Sequence, residues 1–600
     1  MRTLASATPR WPWMPSLAGY VCLAIGVLDI VGAVFPRFRG SRVHLWVGQL
    51  PGGTTTLATA GSLMIGVLLV LLAPALRRRK ARAWRAAVVL LLVGGFLHLL
   101  RWHATGAAVV SFVAFAVLIV HRREFYALSD PRTRWRALYN LIGMGTVAVL
   151  LGLLITWTHR AREIGDSGAI RMLEHTLYGL FGFEGPIRYT SDHAADRVGY
   201  LLGALGLITA LTTAYLFLRP ERPEPELSAA DEERMRALLD RHGARDSLGY
   251  FALRRDKSVL FSPSGKAAIA YRVVSGVMLA SGDPIGDVEA WPGAIKVFMA
   301  QARAHAWVPA VIGCSEAGGE VWTREAGLSA LELGDEAVVD TGEFSLEGRA
   351  MRNVRQMVKR IERNGYSCKV RKVSELDDAE RMRIGDAAAR WRDTNTERGF
   401  STALGRFGDP ADQDCLVVTA HKAPDPAPDG TPSAGDDLKA VLHFVPWGPQ
   451  GISLELMRRD RTADPGLNEL LIVATLLAAP DLGVRRVSLN FAMFRSALAR
   501  GERLGAGPVL RLWCALLIFL SRWFQIESLY KFNAKFRPKW EPRFLVYPAT
   551  RDLPRIGFAT MQAEAFISLG MPRLGRKPQR VGLAAAHPET TPAAESVSAA

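Results

Sequence analysis

Four short stretches place reactive side chains where they could act together. In SLELMRR, residues 453–459, strand alternation sets Ser453, Glu455 and Met457 on one face, and Arg458 follows at the strand end. A carboxylate and a guanidinium three residues apart could orient an amine and a phosphate, or pair with each other. LNFAMF, 489–494, ends a strand with Asn490 at its rim. LYKFNAKFRPKWEPR, 529–543, interleaves Lys531, Lys535, Arg537, Lys539 and Arg543 with Tyr530, Phe532, Phe536 and Trp540. Cations set between aromatics suit a phosphate-bearing substrate with apolar or stackable parts. SGDPIGD, 281–287, reads as a tight turn presenting Asp283 and Asp287 beside glycines.

Other chemistries leave no trace. There is no GxxxxGK(S/T) loop for a nucleoside triphosphate, no HExxH or HxxEH zinc site and no GxSxG elbow. Nor is there a convincing Q/R-x-x-G-x-G/A loop, the usual pyrophosphate cradle for acetyl-CoA. The five cysteines, Cys22, Cys314, Cys368, Cys415 and Cys514, are scattered without a CxxC pair, which argues against a zinc ribbon, a redox motif or a disulfide framework. The substrate is therefore expected to arrive already activated, and neither cofactor nor metal is expected.

The elements that must carry these residues alternate between helix and strand, the pattern of an α/β or α+β protein. Ser228 caps a helix with an acidic first turn; strands are expected at 258–261, 267–271, 276–280 and 308–314, with a helix at 291–305 between them. Residues 345–364 predict a strongly basic helix. Arg349, Arg352, Arg355, Lys359, Arg360 and Arg363 recur at helical spacing opposite Met351, Val354, Val358 and Ile361. Only Glu347 and Glu362 offset these cations, so the helix reads either as a solvated face or as a surface for a polyanion. A second α/β unit follows, with helices at 374–393 and 466–479 and strands near 415–420, 438–445, 451–457 and 484–492. The apolar run 508–529 is expected to form a core or membrane-surface helix, the Pro/Gly/Asp stretch 422–437 a loop, and the tail after 576 to be disordered.

Six hundred residues suggest roughly three or four domains, and the first third differs sharply from the rest. Apolar stretches at about 15–35, 55–76, 86–100, 105–121, 137–157 and 198–218 predict six membrane spans. The arginine-rich loops 77–85 and 122–136 belong in the cytoplasm, which sets the N-terminus and everything after 218 on that side. Loop 36–54, with Arg37, Arg39 and Arg42, fits that orientation poorly. Residues 171–183 are expected to form an amphipathic helix on the outer surface, and Asp29 and His98 are the ionisable groups inside or beside the spans. Lys and Arg exceed Asp and Glu by 74 − 57 = 17, a balance that favours anionic partners.

Taken in order, GDPIGD, WTREAG at 322–327, GEFSLEGRAMRNVRQMVKRIERNGY at 342–366, SLELMRR, LNFAMF and LYKFNAKFRPKWEPR resemble the catalytic domain of bacterial phosphatidylglycerol lysyltransferases, the multiple-peptide-resistance or aminoacyl-phosphatidylglycerol synthase family. The resemblance covers about 230–550. It implies a multi-pass α-helical membrane domain followed by tandem GNAT-like (acetyltransferase-like) α/β domains. The corresponding division is 1–218 for the membrane domain, 219–230 for a linker, 231–368 and 369–575 for the two halves, and 576–600 for the tail. It also implies transfer of an aminoacyl group, lysyl or similar, from aminoacyl-tRNA to phosphatidylglycerol at the cytoplasmic leaflet of the bilayer. Two features depart from the family: larger members have more spans and a lipid-flipping region, and Glu455 stands where the family strand has Asp.

Such a transesterification needs proximity, charge stabilisation and a proton acceptor, not ATP or CoA. On this reading Glu455, Arg458 and Lys535 are the catalytic set. Glu455 would hold the aminoacyl ammonium or take the proton of the attacking hydroxyl, and Arg458 would hold lipid phosphate or the RNA 3′ end. Asp283, Asn490, Arg537, Trp540 and Glu541 would bind substrate, and Arg352, Arg355 and Lys359 would contact the RNA backbone. Two rivals are a tRNA-dependent enzyme acting on a peptidoglycan precursor and a transport protein with a regulatory soluble domain.

Overall fold

In the computed structural model the described residues are 11, 13–34, 52–100, 105–127, 131–165, 168–183, 185–218, 227–392, 398–423, 437–493 and 526–567. They fall into two compact units, one within the bounds 1–223 and 301–307, the other within 224–300 and 308–600.

The first unit is helical: α1 (Met14–Val34), α2 (Gly52–Arg77), α3 (Ala81–Leu100), α4 (Thr105–Val120), α5 (Pro131–Thr158), α6 (Ala169–Leu180) and α7 (Asp192–Leu218). All but α6 coincide with the six apolar stretches. Four of the helices, α1, α3, α5 and α7, are long and apolar enough to cross a membrane by their described residues. Glycines let α1 and α2 touch backbone to backbone. A Cβ on Gly26 would lie 2.5 Å from the Gly66 carbonyl oxygen, and one on Gly66 would lie 2.7 Å from that of Gly26. Asp29 lies against Gly66, and its Oδ1 is 3.1 Å from Nε2 of His98 on α3, both side chains being buried. The two ionisable groups singled out in the sequence therefore meet. Helix α6 is amphipathic as expected: Met172, His175, Thr176 and Gly179 are buried, while Ile170, Leu173 and Leu177 are exposed.

In the second unit α8 (Ala229–His242) opens on Ser228, whose Oγ accepts the Asp231 N–H. Then come β1 (Ser258–Phe261), β2 (Ala267–Val274), β3 (Val277–Ser281), β4 (Ile285–Gly286), α9 (Trp291–His305), β5 (Val308–Cys314), α10 (Glu316–Ala326) and β6 (Ser329–Asp340). The chain continues through α11 (Arg352–Arg363), β7 (Tyr366–Lys372), α12 (Asp378–Arg390), β8 (Leu416–Lys422), β9 (Asp437–Pro446), β10 (Gly451–Arg459), α13 (Leu467–Ala478) and β11 (Arg486–Met493). It ends with α14 (Ile526–Ala534), β12 (Lys539–Tyr547) and α15 (Leu553–Ala563).

Among the described residues these strands make one mixed sheet, ordered β1-β2-β3-β5-β12-β6-β11-β10-β9-β8-β7, with β4 beside β2. The order contains an internal repeat. Each half is an antiparallel run closed by a parallel pair, β3 with β5 and β10 with β11. The strand that follows each pair is exchanged: β6 joins β11 of the second half, and β12 joins β5 of the first. The exchanged strands pair with each other at the centre, from Lys539–Val338 to Tyr547–Ser329. Neither half can close its sheet without the other.

Helices α11 and α13 cover one face of the second half. Val354, Val358, Ile361, Leu470 and Leu471 pack there on Val418, Leu442, Phe444, Leu454 and Val487 of the sheet. Helix α12 covers the opposite face with Ile384, Ala387 and Ala388 against Val417 and Val441.

Several expected bounds move. The basic helix begins at Arg352, and residues 345–351 are bends and irregular backbone ending in a turn. The helix expected at 374–393 is a 3-10 turn at Val373–Glu375 followed by α12. The sequence reading missed β6, β12, α10 and α15. Residues 508–525 of the apolar run, 424–436 of the Pro/Gly/Asp stretch and the tail beyond 567 lie outside the described residues.

Candidate functional site

The parallel pair of the second half is short. Gly451, Ile452 and Ser453 of β10 pair with Arg486, Val487 and Ser488 of β11, and there the pairing stops. Beyond it β10 stays with β9 and β11 stays with β6, so the two strands part. Each strand is irregular at that point. On β10 the register slips between Leu454, opposite Phe444, and Leu456, opposite His443, which leaves Glu455 as the extra residue of a β-bulge. On β11 the slip falls between Ser488 and Phe491, and Asn490 within it adopts a left-handed φ of 69°. Asparagine tolerates that conformation better than most residues. Its side-chain Nδ2 donates across the gap to the Leu454 carbonyl at 3.2 Å.

The bulge corrects the expected facing. Strict alternation would put Met457 with Glu455, but Met457 lies opposite Leu442, on the α11/α13 face. Glu455, Leu456 and Arg458 instead share the α12 face, where Arg458 Nη1 donates to the Ala388 carbonyl at 2.7 Å. The acid and the guanidinium are thus brought to one side of the sheet.

The Glu455 side chain is only 2% exposed. Its Oε1 accepts the N–H groups of Leu404 at 3.0 Å and Gly405 at 2.9 Å, and its Oε2 pairs with His443 Nδ1 at 2.7 Å. Burial pushes this carboxyl up, but the His443 hydrogen bond and charge and the two amides outweigh it and hold the group below the usual carboxylate range. The expectation that Glu455 meets a substrate ammonium directly conflicts with this geometry, because its oxygens are already engaged within the protein.

Lys535 lies on the other face. Its Nζ donates to Glu469 of α13 at 2.7 Å, and its side chain is 43% exposed. Asn533 of α14, which ends one residue before Lys535, donates to the Leu489 carbonyl of β11 at 3.4 Å and so fixes α14 against β11. Arg537 follows with a left-handed φ of 53° and an exposed side chain. Trp540 stacks obliquely on Tyr530, ring centroids 5.2 Å apart, and packs on the α11/α13 core. The expected catalytic trio is therefore divided by the sheet, with Glu455 and Arg458 on one face and Lys535 on the other.

Asp283 is buried rather than presented. Its Oδ1 accepts the Ser315 N–H at 2.8 Å and its Oδ2 the Ser315 hydroxyl at 2.6 Å. Ser315 in turn caps α10. A Cβ on Gly318 would lie 2.1 Å from the Asp283 carboxylate, so the acid fills the start of that helix. Burial, and next the charge of Asp246, push Asp283 up to about 7.

Sequence reasoning treated Arg543 as one cation among several and gave Glu336 no role. Arg543 is the hub of a buried network. Its Nε donates to Glu336 Oε2 at 2.9 Å, its Nη1 to Asp246 Oδ1 at 2.8 Å and its Nη2 to Ser247 Oγ at 2.7 Å. Glu336 also accepts from the hydroxyls of Ser247 and Ser488, and Ser453 Oγ donates to the Ser247 carbonyl at 2.7 Å. The last two paired residues of the parting strands, Ser453 and Ser488, are therefore anchored to one network. Beside it an open cleft of about 400 Å³ is lined by Ser315, Glu316, Glu320, Glu541 and Arg543. Glu541 lines it, and its carboxyl is raised by desolvation at the cleft wall and next by the charge of Glu336.

On α11, Arg352 and Lys359 are exposed, whereas Arg355 is half-buried and its Nη1 donates to the Leu346 carbonyl. Among the described residues no group of three or more His, Cys, Asp or Glu side chains could hold a metal ion.

The family model for the C-terminal region of phosphatidylglycerol lysyltransferase matches residues 236–547. The family model for the transmembrane region of lysyl-tRNA synthetase matches residues 10–165. The lysylphosphatidylglycerol biosynthesis bifunctional protein LysX of Rhodococcus jostii (strain RHA1) is 42% identical over 623 aligned residues, 99% of this chain and 53% of that protein. Its counterpart from Nocardia farcinica (strain IFM 10152) is 41% identical over 598 residues, 96% of this chain and 50% of that protein. The chain thus spans about half the length of the curated relatives it matches. Among solved structures, L-PGS from Bacillus licheniformis aligns with a TM-score of 0.48 and 20% identity, over 58% of this chain and 99% of that one.

Proposed function

The chain belongs to the phosphatidylglycerol lysyltransferase family, and on that premise we propose that it moves an aminoacyl group, lysyl or similar, from aminoacyl-tRNA to a hydroxyl of phosphatidylglycerol. The observation that carries the reading is the gap between β10 and β11, bounded by different chemistry on the two faces of the sheet. On the α11/α13 face lie the exposed Arg352 and Lys359 of α11 and Lys535, which reaches Glu469 of α13, with the exposed Arg537 two residues further along the chain, a setting for a polyanionic carrier. On the α12 face lies the half-buried Arg458, a guanidinium suited to an anionic headgroup. A carrier approaching from one side and an acceptor from the other would meet where the strands part.

The reaction is a transesterification. The glycerol hydroxyl attacks the ester carbonyl carbon, the new C–O bond forms, and the bond to the ribose oxygen breaks, with the hydroxyl proton passing to the departing ribose oxygen. Holding the two substrates together supplies much of the rate, and cations beside the developing oxyanion supply part of the rest. No activating cofactor is needed, since the ester is already high in energy.

We further place the catalytic unit under the cytoplasmic leaflet of the bacterial cell membrane, where charged tRNA is found. Residues 231–368 and 369–575 are read as two acetyltransferase-like halves that exchange chain, β6 and α11 of the first joining the sheet and core of the second and β12 of the second joining the sheet of the first. The test is mass spectrometry of lipids from cells with and without the chain. Aminoacylated phosphatidylglycerol that appears only with it supports the reading; identical lipid profiles with the protein present and folded contradict it.

A further inference from the structure

Residues 398–405 have no helix or strand to satisfy their backbone, yet they are gripped from three sides. Glu564 accepts the N–H groups of Phe400 at 2.6 Å and Ser401 at 3.1 Å. Arg254 Nη1 donates to the carbonyls of Gly399 at 2.9 Å and Ala403 at 3.2 Å. Glu455 takes the last two amides, those of Leu404 and Gly405. A buried carboxylate that replaces a strand ladder in this way must itself be held in one orientation.

His443 does that. It sits on β9 directly opposite Leu456, next to the bulge, and its side chain is 1% exposed. Nδ1 lies 2.7 Å from Glu455 Oε2, and because an ionised carboxylate can only accept, Nδ1 is the donor of this bond. Among the described residues the far nitrogen, Nε2, is buried without a hydrogen-bond partner, and the ring meets Phe407 edge-on at 5.1 Å. Among the described residues the polar contact that this histidine makes through its ring is therefore the one to Glu455.

We propose that His443 is a positioning residue for the transfer reaction: its Nδ1–H fixes the Glu455 carboxylate, which binds the 404–405 backbone to the β10 bulge and so sets the wall from which Arg458 projects. The inference rests on the reading that the β10–β11 gap is the transfer site. It gives the carboxylate of the family strand a role inside the protein rather than on the substrate.

The two amides that imitate opposite ends of an imidazole separate the possibilities. Asparagine places a donor near the Nδ1 position, and glutamine places one near Nε2. With the full chain in phosphatidylglycerol vesicles and lysyl-tRNA as donor, H443N should keep transfer within about fivefold of wild type and H443Q should fall about thirtyfold or more in kcat, with the KM for RNA unchanged, the scale of one missing charge-assisted hydrogen bond. Hydrogen–deuterium exchange at 404–405 should accelerate in H443Q and stay near wild type in H443N. Equal behaviour of the two variants in exchange, or an H443N as inactive as H443Q, overturns the proposal. Should H443Q not fold, E455Q replaces it, and unchanged exchange at 404–405 in E455Q overturns the proposal equally. The exchange comparison needs no substrate, so it decides the His443 pairing even if the wild-type chain transfers nothing, a result that would count against the transfer reading alone.

Discussion

Arg543 of β12 and Glu336 of β6 are joined by two hydrogen bonds to one carboxylate oxygen, and the side chains are 4% and 0% exposed. The bond ties together the two strands that the halves exchange. Removing the guanidinium would strand Glu336 and Asp246 as buried, unpaired charges. R543M should therefore destabilise the chain by about 3–5 kcal/mol, the usual cost of removing one partner of a buried pair. R543M/E336Q should recover part of it. Thermal unfolding of the purified variants measures both effects, and additive destabilisation in the double variant would contradict the coupling.

Asp283 predicts a pH effect of definite sign. A carboxyl raised to about 7 in the fold has an unfolded value near ~3.9. The fold then binds its proton more tightly, so the stability contributed is complete below the ordinary value and is lost as pH rises from about 4 through about 7. D283N abolishes that titration. The melting temperature of D283N minus that of wild type should rise across this window and then level. Parallel curves would show that Asp283 is not the group responsible.

Neighbouring cations of α11 should behave differently. Arg352 and Lys359 are exposed, so R352Q/K359Q should weaken tRNA binding and lower the salt slope of log K by roughly 1–2, about 0.7–0.9 for each phosphate no longer neutralised. Arg355 is committed to the Leu346 carbonyl. R355Q should lower the melting temperature and leave the salt slope unchanged. Filter binding or anisotropy across a salt series distinguishes them.

The short motifs were legible because their residue types are unusual at their spacing, and the order of motifs carried the resemblance. Strand and helix bounds such as 308–314 and 291–305 were legible from periodicity. Other features were hidden by long-range partners. Strand β6, SALELGDEAVVD, reads as too acidic for a central strand. Its Glu336 is buried because Arg543, 207 residues later, satisfies it, and no local pattern reports such a partner. The facing of Met457 was misread for a related reason: a bulge adds one residue and reverses every later side chain, and nothing in SLELMRR marks it. Asp283 looked like a presented turn residue because its acceptor role toward Ser315 is set by the sheet, not by the turn.

The most direct test of lysyl transfer uses the purified chain in vesicles that contain phosphatidylglycerol, supplied with lysyl-tRNA labelled in the amino acid and with neither ATP nor free lysine. Label should move into the lipid fraction as lysyl-phosphatidylglycerol, and K535A, together with E455Q, should lower the rate at least about tenfold while the proteins stay folded. Label that remains on the RNA or is released only as free lysine, with folded protein and accessible lipid, would contradict the proposed reaction.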